Sequence, residues 1–259
     1  MVSPTPTQHQ TAAALGALGQ WLRAWWNLIN VSAALVVLAL SPSSYRGANR
    51  TLLHWHVYRS TAPVLLGFSL LSAVVTVVLT HIVLTTATTY GLTQFALQVV
   101  IRVLVLEIIP LAAALFVALR FTIPAATELA QMQGLRPMQT EALPRVVAGM
   151  VAGITLTAQS CLVALVMAYI AAHGFNSAAL PAYTRMFGQV MAPAVVLIFG
   201  FKTLLFCLAV SLVPVASALQ GARRNRSYPL SSNVEMQAIV RMLMAVLGVE
   251  VISLIGNYY

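Results

Sequence analysis

The fold is decided by residues 106–132, LEIIPLAAALFVALRFTIPAATELAQM, which place charges and prolines inside a long apolar run. The charged residues are Glu107, Arg120 and Glu128, and the prolines are Pro110 and Pro124. A charged group inside a membrane is costly, so such a residue marks either a functional site or a contact that holds helices together. The pattern predicts a membrane helix whose charged residues are the first functional candidates.

The composition of the whole chain is that of a membrane protein. Of its 259 residues, 60% are hydrophobic and 7% are charged, and the mean hydropathy is +0.88. A water-soluble domain of this composition would lack the polar groups needed to cover its surface. The net charge of +9 comes from 14 Lys and Arg residues spread along the chain, without the basic and aromatic interleaving of a nucleic-acid-binding face. We therefore expect no nucleic-acid partner.

Five segments are apolar enough to cross a hydrocarbon core about 30 Å thick, which takes roughly 20 residues. They lie near residues 62–85, 96–122, 145–171, 188–219 and 235–256. Short connections join most of them, and no soluble domain is apparent. The sequence predicts an all-α, polytopic integral membrane protein with five transmembrane helices.

Positive residues predict the orientation of these spans. Arginines precede the first span and follow the second and the fourth: Arg23, Arg46, Arg50, Arg136, Arg145, Arg223, Arg224 and Arg226. The loops at the opposite ends contain one Lys or Arg residue, Arg185, and residues 256–259 carry no side-chain charge. Because Lys and Arg favour the cytoplasmic side, we expect a cytoplasmic N-terminus and a C-terminus on the opposite side of the membrane.

The N-terminal region predicts a helix that lies on the membrane rather than across it. Residues 28–40 are strongly apolar but too short to span alone, and Trp21, Trp25 and Trp26 favour the headgroup layer. The alternative is one long helix from residue 11 to residue 40 that crosses while Arg23 reaches toward the headgroups. We therefore divide the chain into an interfacial region, 1–58, and a transmembrane domain, 59–259.

Signatures of catalysis or metal binding are missing from the sequence. No Walker A loop occurs, so we expect no ATP hydrolysis by this chain alone. His54 and His56 alternate and therefore do not share a helix face, and no third ligand is nearby in sequence, so no metal site is expected. The chain has no aspartate, and its five glutamates form no set typical of a nucleophilic triad.

The spacing within residues 106–132 resembles the signature of the MlaE/YrbE family of lipid-transporting ABC permeases. That signature runs roughly R-E-L-x-P, then A-G-R-x-G, then A-A-E-L-G-x-M. The matching positions are Pro110, Ala118, Arg120, Ala126, Glu128, Leu129 and Met132. Residues 134–137 and 144–146 also resemble the family's G-x-x-P and P-R-V elements, and residues 201–218 resemble its K-s-x-x-F helix. The resemblance extends over roughly residues 60–256.

Several departures indicate a diverged member. The family arginine before Glu107 is Leu106, and recurring family glycines are replaced by Leu119, Thr122 and Ala130. Between Met132 and Gly134 only one residue remains, where the family usually has a short helix that docks on the ATPase. The resemblance therefore implies a permease with a shortened coupling loop.

The resemblance implies a permease subunit that moves phospholipid or another hydrophobic lipid between the bacterial inner membrane and a periplasmic MCE-type partner. It further implies a second permease chain, a lipid cavity between the two copies, and ABC ATPase subunits that bind ATP and Mg. This chain itself would be a transport subunit without a cofactor. The alternative is a noncatalytic scaffold, or degenerate permease, that pairs with a better preserved permease.

Polar residues inside or beside the spans are the candidate site residues. By depth, Lys202 is the expected partner of Glu107, and the pair either fixes helix packing or contributes to a substrate pathway or gate. Thr155 and Gln159 belong to a polar patch on the third span that could line a cavity or bond to neighbouring helices. The resemblance places four candidates near the ATPase contact: Arg120, Glu128, Arg136 and Glu141. We interpret Arg120 and Glu128 as structural anchors rather than lipid ligands.

Two backbone features complete the predictions. Gly149 and Gly153 form a G-x-x-x-G pair, which allows a close helix approach either within the subunit or in a dimer. Pro193 and Pro214 flank Lys202 and are expected to bend the fourth span.

Overall fold

The chain folds as a bundle of long helices. The structure is a computed structural model that describes residues 6–41, 48–131, 140–224 and 232–258, and these ranges contain no strand. The α-helices are α1 (Pro6–Leu40), α2 (Ala48–Thr89), α3 (Thr93–Val100), α4 (Ile109–Val117), α5 (Ile123–Gln131), α6 (Ala142–His173), α7 (Leu180–Val190), α8 (Pro193–Arg224) and α9 (Ser232–Tyr258). A 3₁₀ turn, Ser177–Ala179, precedes α7. The predicted all-α class is confirmed.

Residues 93–131 form one helical run with two interruptions, which we call the segmented helix. π-Helical segments at Ile101–Ile108 and Ala118–Thr122 separate α3, α4 and α5. Pro110 and Pro124 each follow a π segment and lack the N–H that would bond to the carbonyl four residues earlier. Those carbonyls belong to residues 106 and 120, which lie inside the two π segments. The prolines therefore account for the wider turns that precede them.

The helices pack in an order that differs from their order in the chain. The most extensive contact is between α2 and α6, and α8 packs on α6, α5 and α9. Apolar cores occupy the centre and both ends of the bundle, around Phe206, Ile101 and Val146 respectively. Many large apolar side chains are nevertheless exposed, including Leu66 at 80% and Leu197 at 75%. Exposed apolar faces of this extent suit lipid or a partner chain.

Within the residues that the structure describes, six helices, rather than the five predicted, are long and apolar enough to cross a membrane. The additional one is Trp21–Leu40, 20 residues within α1. Residues 28–40 are too short to span alone, but they belong to a longer apolar stretch that begins at Trp21, as the alternative of one long helix requires. Leu28 and Leu35 are buried against the bundle and lie seven residues apart, on one face of α1. The interfacial placement of α1 stays a prediction.

The remaining spans are longer than predicted at several ends. The apolar part of α2, Thr51–Thr89, has 39 residues, or about 58 Å, and exceeds a hydrocarbon core of about 30 Å. The predicted domain boundary at residues 58 and 59 falls inside this continuous helix. The second predicted span, 96–122, continues to Ala130 because the π segments allow the helix to pass Pro124.

The short helix α7, which the sequence analysis did not predict, lies between the third and fourth spans. Its residue Tyr183 donates a hydrogen bond to the Leu165 carbonyl at 2.8 Å, which fixes α7 against α6. Burial raises the pKa of Tyr183 to about 12.

Pro193 is the first residue of α8 and does not bend it, so the expected bend at Pro193 is wrong. Pro214 lies inside the helix. Proline is tolerated at a helix start because the N–H that it lacks would have no partner there.

Candidate functional site

A buried cluster of opposite charges lies in the bundle, formed by Glu107, Lys202 and Glu250. Lys202 Nζ donates a hydrogen bond to Glu107 Oε2 and lies 2.8 Å from Glu250 Oε2, a charge contact without hydrogen-bond alignment. The three residues come from the first π segment, α8 and α9. We call this set the charged cluster, and it joins three separate parts of the chain.

The surroundings of Lys202 are apolar. The residue is 2% exposed, and its Nζ lies 5.5 Å from the centre of the Phe206 ring, one helical turn further along α8. A buried ammonium group requires compensation, and here it has two carboxylates and the face of an aromatic ring. With every group ionised, the charged cluster carries one excess negative charge. It can therefore anchor to one another the three helical elements that contribute to it.

The sequence predicted part of the charged cluster. Glu107 and Lys202 were expected to pair because they lie at similar depths, and the structure brings them together. Glu250 was missed, although it is an acidic residue inside the fifth predicted span, where any charge is costly. A complete comparison of intramembrane charges would have drawn attention to it. Its contact with Lys202 required the packing of α9 on α8.

Both π segments contain a functional candidate. Glu107 lies in the first segment and Arg120 in the second. A π turn changes the direction of the side chains that follow it, so the angles of a regular helix do not apply across it. Arg120 and Glu128 form no recorded ion pair, as their separation predicts, but they line the same cavity. The sequence signal for both segments was the recurring proline.

That cavity has a volume of about 320 Å³ and lies where α2 begins, the segmented helix ends and α6 begins. Its charged lining comprises Arg59, Arg120, Glu128 and Arg145, and His56 also lines it. We call this space the basic pocket. Arg120 and Glu128 are therefore neighbours here, whereas Arg136 lies outside the described residues.

Glu141 reaches the edge of this region through Arg145. Arg145 Nη1 donates hydrogen bonds to the Glu141 carboxylate at 2.8 Å and to the Glu141 carbonyl at 2.7 Å. Arg145 is 5% exposed, and its Nε has no hydrogen-bond partner. The Arg145 contribution to the basic pocket was not predicted, because the sequence marked this residue as a positive span end and as part of a P-R-V element, and neither implies a cavity.

The candidates Thr155 and Gln159 do not bond to neighbouring helices. Thr155 is partly buried and donates to the Val151 and Ala152 carbonyls of its own helix at 2.8 and 3.0 Å. Gln159 is exposed. Hydroxyl groups often satisfy themselves in this way within a helix. Of the two uses predicted for the polar patch, cross-helix bonding is absent at Thr155, and the pathway role is left to experiment.

The G-x-x-x-G pair contacts α8 within the same chain. A Cβ atom on Gly149 would lie 2.7 Å from Ser211 Oγ and 2.8 Å from Thr122 Cγ2, and one on Gly153 would lie 2.6 Å from Cys207 Sγ. All three distances are too short for real atoms, so the two glycines permit the close packing of α6. The intrasubunit alternative is the one observed. Thr122, a departure from the family glycine, fills space beside Gly149.

Comparison with known proteins identifies the family. A family model described as permease MlaE matches residues 53–255, most of the chain. No curated protein matches the chain significantly. The matched region contains the charged cluster, the basic pocket and both π segments. The chain therefore belongs to the MlaE permease family and is a membrane permease of the lipid-transport ABC type.

Proposed function

We propose that this chain is the transmembrane subunit that moves phospholipid, or another hydrophobic lipid, between the bacterial inner membrane and a periplasmic MCE-type partner. Lipid would occupy a cavity between two permease chains. The observation that carries the proposal is the charged cluster, buried among apolar helices in a chain of a lipid-transport family. A buried charge set that links three helices is suited to respond when those helices move.

The proposed pathway includes Glu107 and Lys202 at the charged cluster, with Thr155 and Gln159 on α6. The excess carboxylate of the cluster can accept a hydrogen bond or an ammonium group from a lipid headgroup. Movement of α8 or α9 would change the distance between Lys202 and its partners, and with it the affinity for lipid. Each state of the transporter would then hold lipid differently.

The proposed partners are a second permease chain, ABC ATPase subunits that bind ATP and Mg, and an MCE-domain protein. Coupling to the ATPase would involve Arg120, Glu128, Arg136 and Glu141, at the end of the bundle that contains the basic pocket. We propose that this end faces the cytoplasm, with the N-terminus on the same side and the C-terminus in the periplasm. The positive residues around the basic pocket support this orientation.

Copurification from native membranes in mild detergent tests the proposal. We expect two permease chains with ATPase subunits, and lipid mass spectrometry should find phospholipid that is retained by the wild type. A charge-neutral cluster variant, Glu107→Gln with Glu250→Gln and Lys202→Met, should assemble but transfer less lipid. A stable monomer that transports lipid without any ATPase would refute the proposal.

A scaffold role is favoured by one observation, the set of departures at Leu106 and in the shortened loop that begins after Gln131. A scaffold would assemble with a second, better preserved permease. Its cluster variants would leave lipid transfer by the complex unchanged. Transfer measured at matched assembly therefore separates the two functions.

A further inference from the structure

The basic pocket is a second concentration of charge, separate from the charged cluster. Arg120 lies 13 residues beyond Glu107 in the segmented helix, about 20 Å at the usual helical rise. Three helical elements bring Arg59, Arg120 and Arg145 to one cavity. Their positive charges repel one another, and the Glu128 carboxylate or a bound anion at the same cavity reduces that repulsion.

The acidic groups near the basic pocket do not balance its arginines. Glu128 lines the cavity, and Glu141 is paired with Arg145. Against the three arginines, these two carboxylates leave one excess positive charge. In addition, Arg145 is 5% exposed and its Nε lacks a hydrogen-bond partner. An unpartnered, buried guanidinium donor at a positively charged cavity is an independent indication of an anionic ligand.

We propose that the basic pocket binds the phosphate of an anionic phospholipid headgroup. A phosphodiester carries the single negative charge that the pocket lacks, and its oxygens accept hydrogen bonds from arginine in a paired arrangement. Arg59 and Arg120 are exposed at the rim, whereas Arg145 is buried, so the phosphate contacts arginines at two depths.

The rest of the lining distinguishes a lipid from a free anion. Beside the arginines lie Pro63, Val64, Phe121 and Ala125, which offer apolar contact to the glycerol and the first acyl carbons. A free phosphate would leave those groups without a ligand. Because α2 is much longer than a hydrocarbon core, its residue Arg59 can lie at headgroup level.

This site does not depend on the proposed transport cycle. An anionic lipid bound here would contact α2, the segmented helix and α6 at once, whether the chain is a permease or a scaffold. It would also cover Arg120 and Glu128, two of the residues proposed for ATPase coupling. Lipid composition would then influence the coupling end of the bundle.

Binding to the full chain, purified in mild detergent with any subunits that accompany it, tests the proposal without ATP. The probes are dioctanoyl-phosphatidylglycerol, dioctanoylglycerol, which lacks the phosphate, and inorganic phosphate. The test variant is Arg59→Gln with Arg120→Gln, because both side chains are exposed and their replacement should leave the fold intact. The matched control is Arg185→Gln, an exposed arginine in α7 outside the pocket.

We expect phosphatidylglycerol to bind the wild type more tightly than either other probe. The double variant should weaken that binding by about tenfold or more, the effect of losing one or two charge-assisted hydrogen bonds, and Arg185→Gln should not. Equal binding of dioctanoylglycerol would overturn the phosphate contact. Equal binding of inorganic phosphate would establish a free-anion site instead.

Unchanged lipid binding by the double variant would place the lipid elsewhere and reject the pocket as its site. If, in that case, a cysteine introduced at position 120 crosslinked to an ATPase, the arginines would be assigned to a protein partner. Loss of lipid transport with intact phosphatidylglycerol binding would refute the proposed function alone, since binding is measured without turnover.

Discussion

Replacement of Lys202 should destabilise the protein far more than replacement of either of its partners. Lys202→Met removes the ammonium group that contacts both Glu107 and Glu250 inside the bundle. Glu107→Gln, by contrast, leaves Lys202 in contact with Glu250 and removes the charge-assisted hydrogen bond from Nζ to Glu107. The matched control is Glu235→Gln, near the start of α9.

The expected magnitudes follow from the number of uncompensated charges. Loss of one partner from a buried ion pair costs about 3–5 kcal/mol when a charge is left unpaired, and this range applies to Lys202→Met. Loss of a charge-assisted hydrogen bond costs about 1.5–3 kcal/mol, which applies to Glu107→Gln. The difference, about 2 kcal/mol, corresponds to about 4–8 °C in Tm for a chain of this size.

Thermal unfolding in detergent, at matched expression and membrane insertion, measures this order. We expect Tm to fall from wild type through Glu107→Gln to Lys202→Met, with Glu235→Gln near wild type. The triple variant Glu107→Gln, Lys202→Met and Glu250→Gln should recover most of the lost stability, because a buried charge set can be replaced by neutral groups at little cost. If Lys202→Met and Glu107→Gln melted together, the charged cluster would be solvated and the reasoning would fail.

Three further predictions concern helix packing, topology and coupling. Gly153→Ala should lower the free energy of unfolding by about 1–3 kcal/mol, because the new Cβ overpacks against α8. Gly200→Ala should not lower it, because nothing lies within 4 Å of the new Cβ. Thermal melts of the two variants compare these effects. A thiol introduced as Val2→Cys should react only from the cytoplasmic side if α1 is interfacial, and reaction from the periplasm would establish a sixth span. Arg136→Glu should weaken ATPase stimulation without preventing membrane insertion. Crosslinks from residues 133–141 should reach a groove of the ATPase. Crosslinks confined to the periplasmic loops would contradict both the proposed topology and the coupling role.

The sequence was informative about the candidate site wherever a charge occupied an apolar run. It predicted the pairing of Glu107 with Lys202, because two opposite charges at similar depth in a membrane have few other groups with which to pair. It did not predict that Arg145 would line the same pocket as Arg120, since Arg145 was assigned to a span end by the positive-inside rule and Arg120 was placed near the ATPase contact by the resemblance. That rule locates arginines along the membrane normal and contains no information about their separation within the plane.

The sequence by itself determined that this chain is an all-α membrane protein of the MlaE permease type, because hydropathy and motif spacing are properties of the chain alone. Only the tertiary structure decided which helices touch: α9 brings Glu250 to Lys202, and α6 brings Gly153 against Cys207. Helix contacts depend on the faces that side chains present in three dimensions, and the π turns before Pro110 and Pro124 rotate those faces away from regular helical periodicity. The packing of α2 and α6 on the segmented helix likewise gathers Arg59, Arg120 and Arg145 at one pocket.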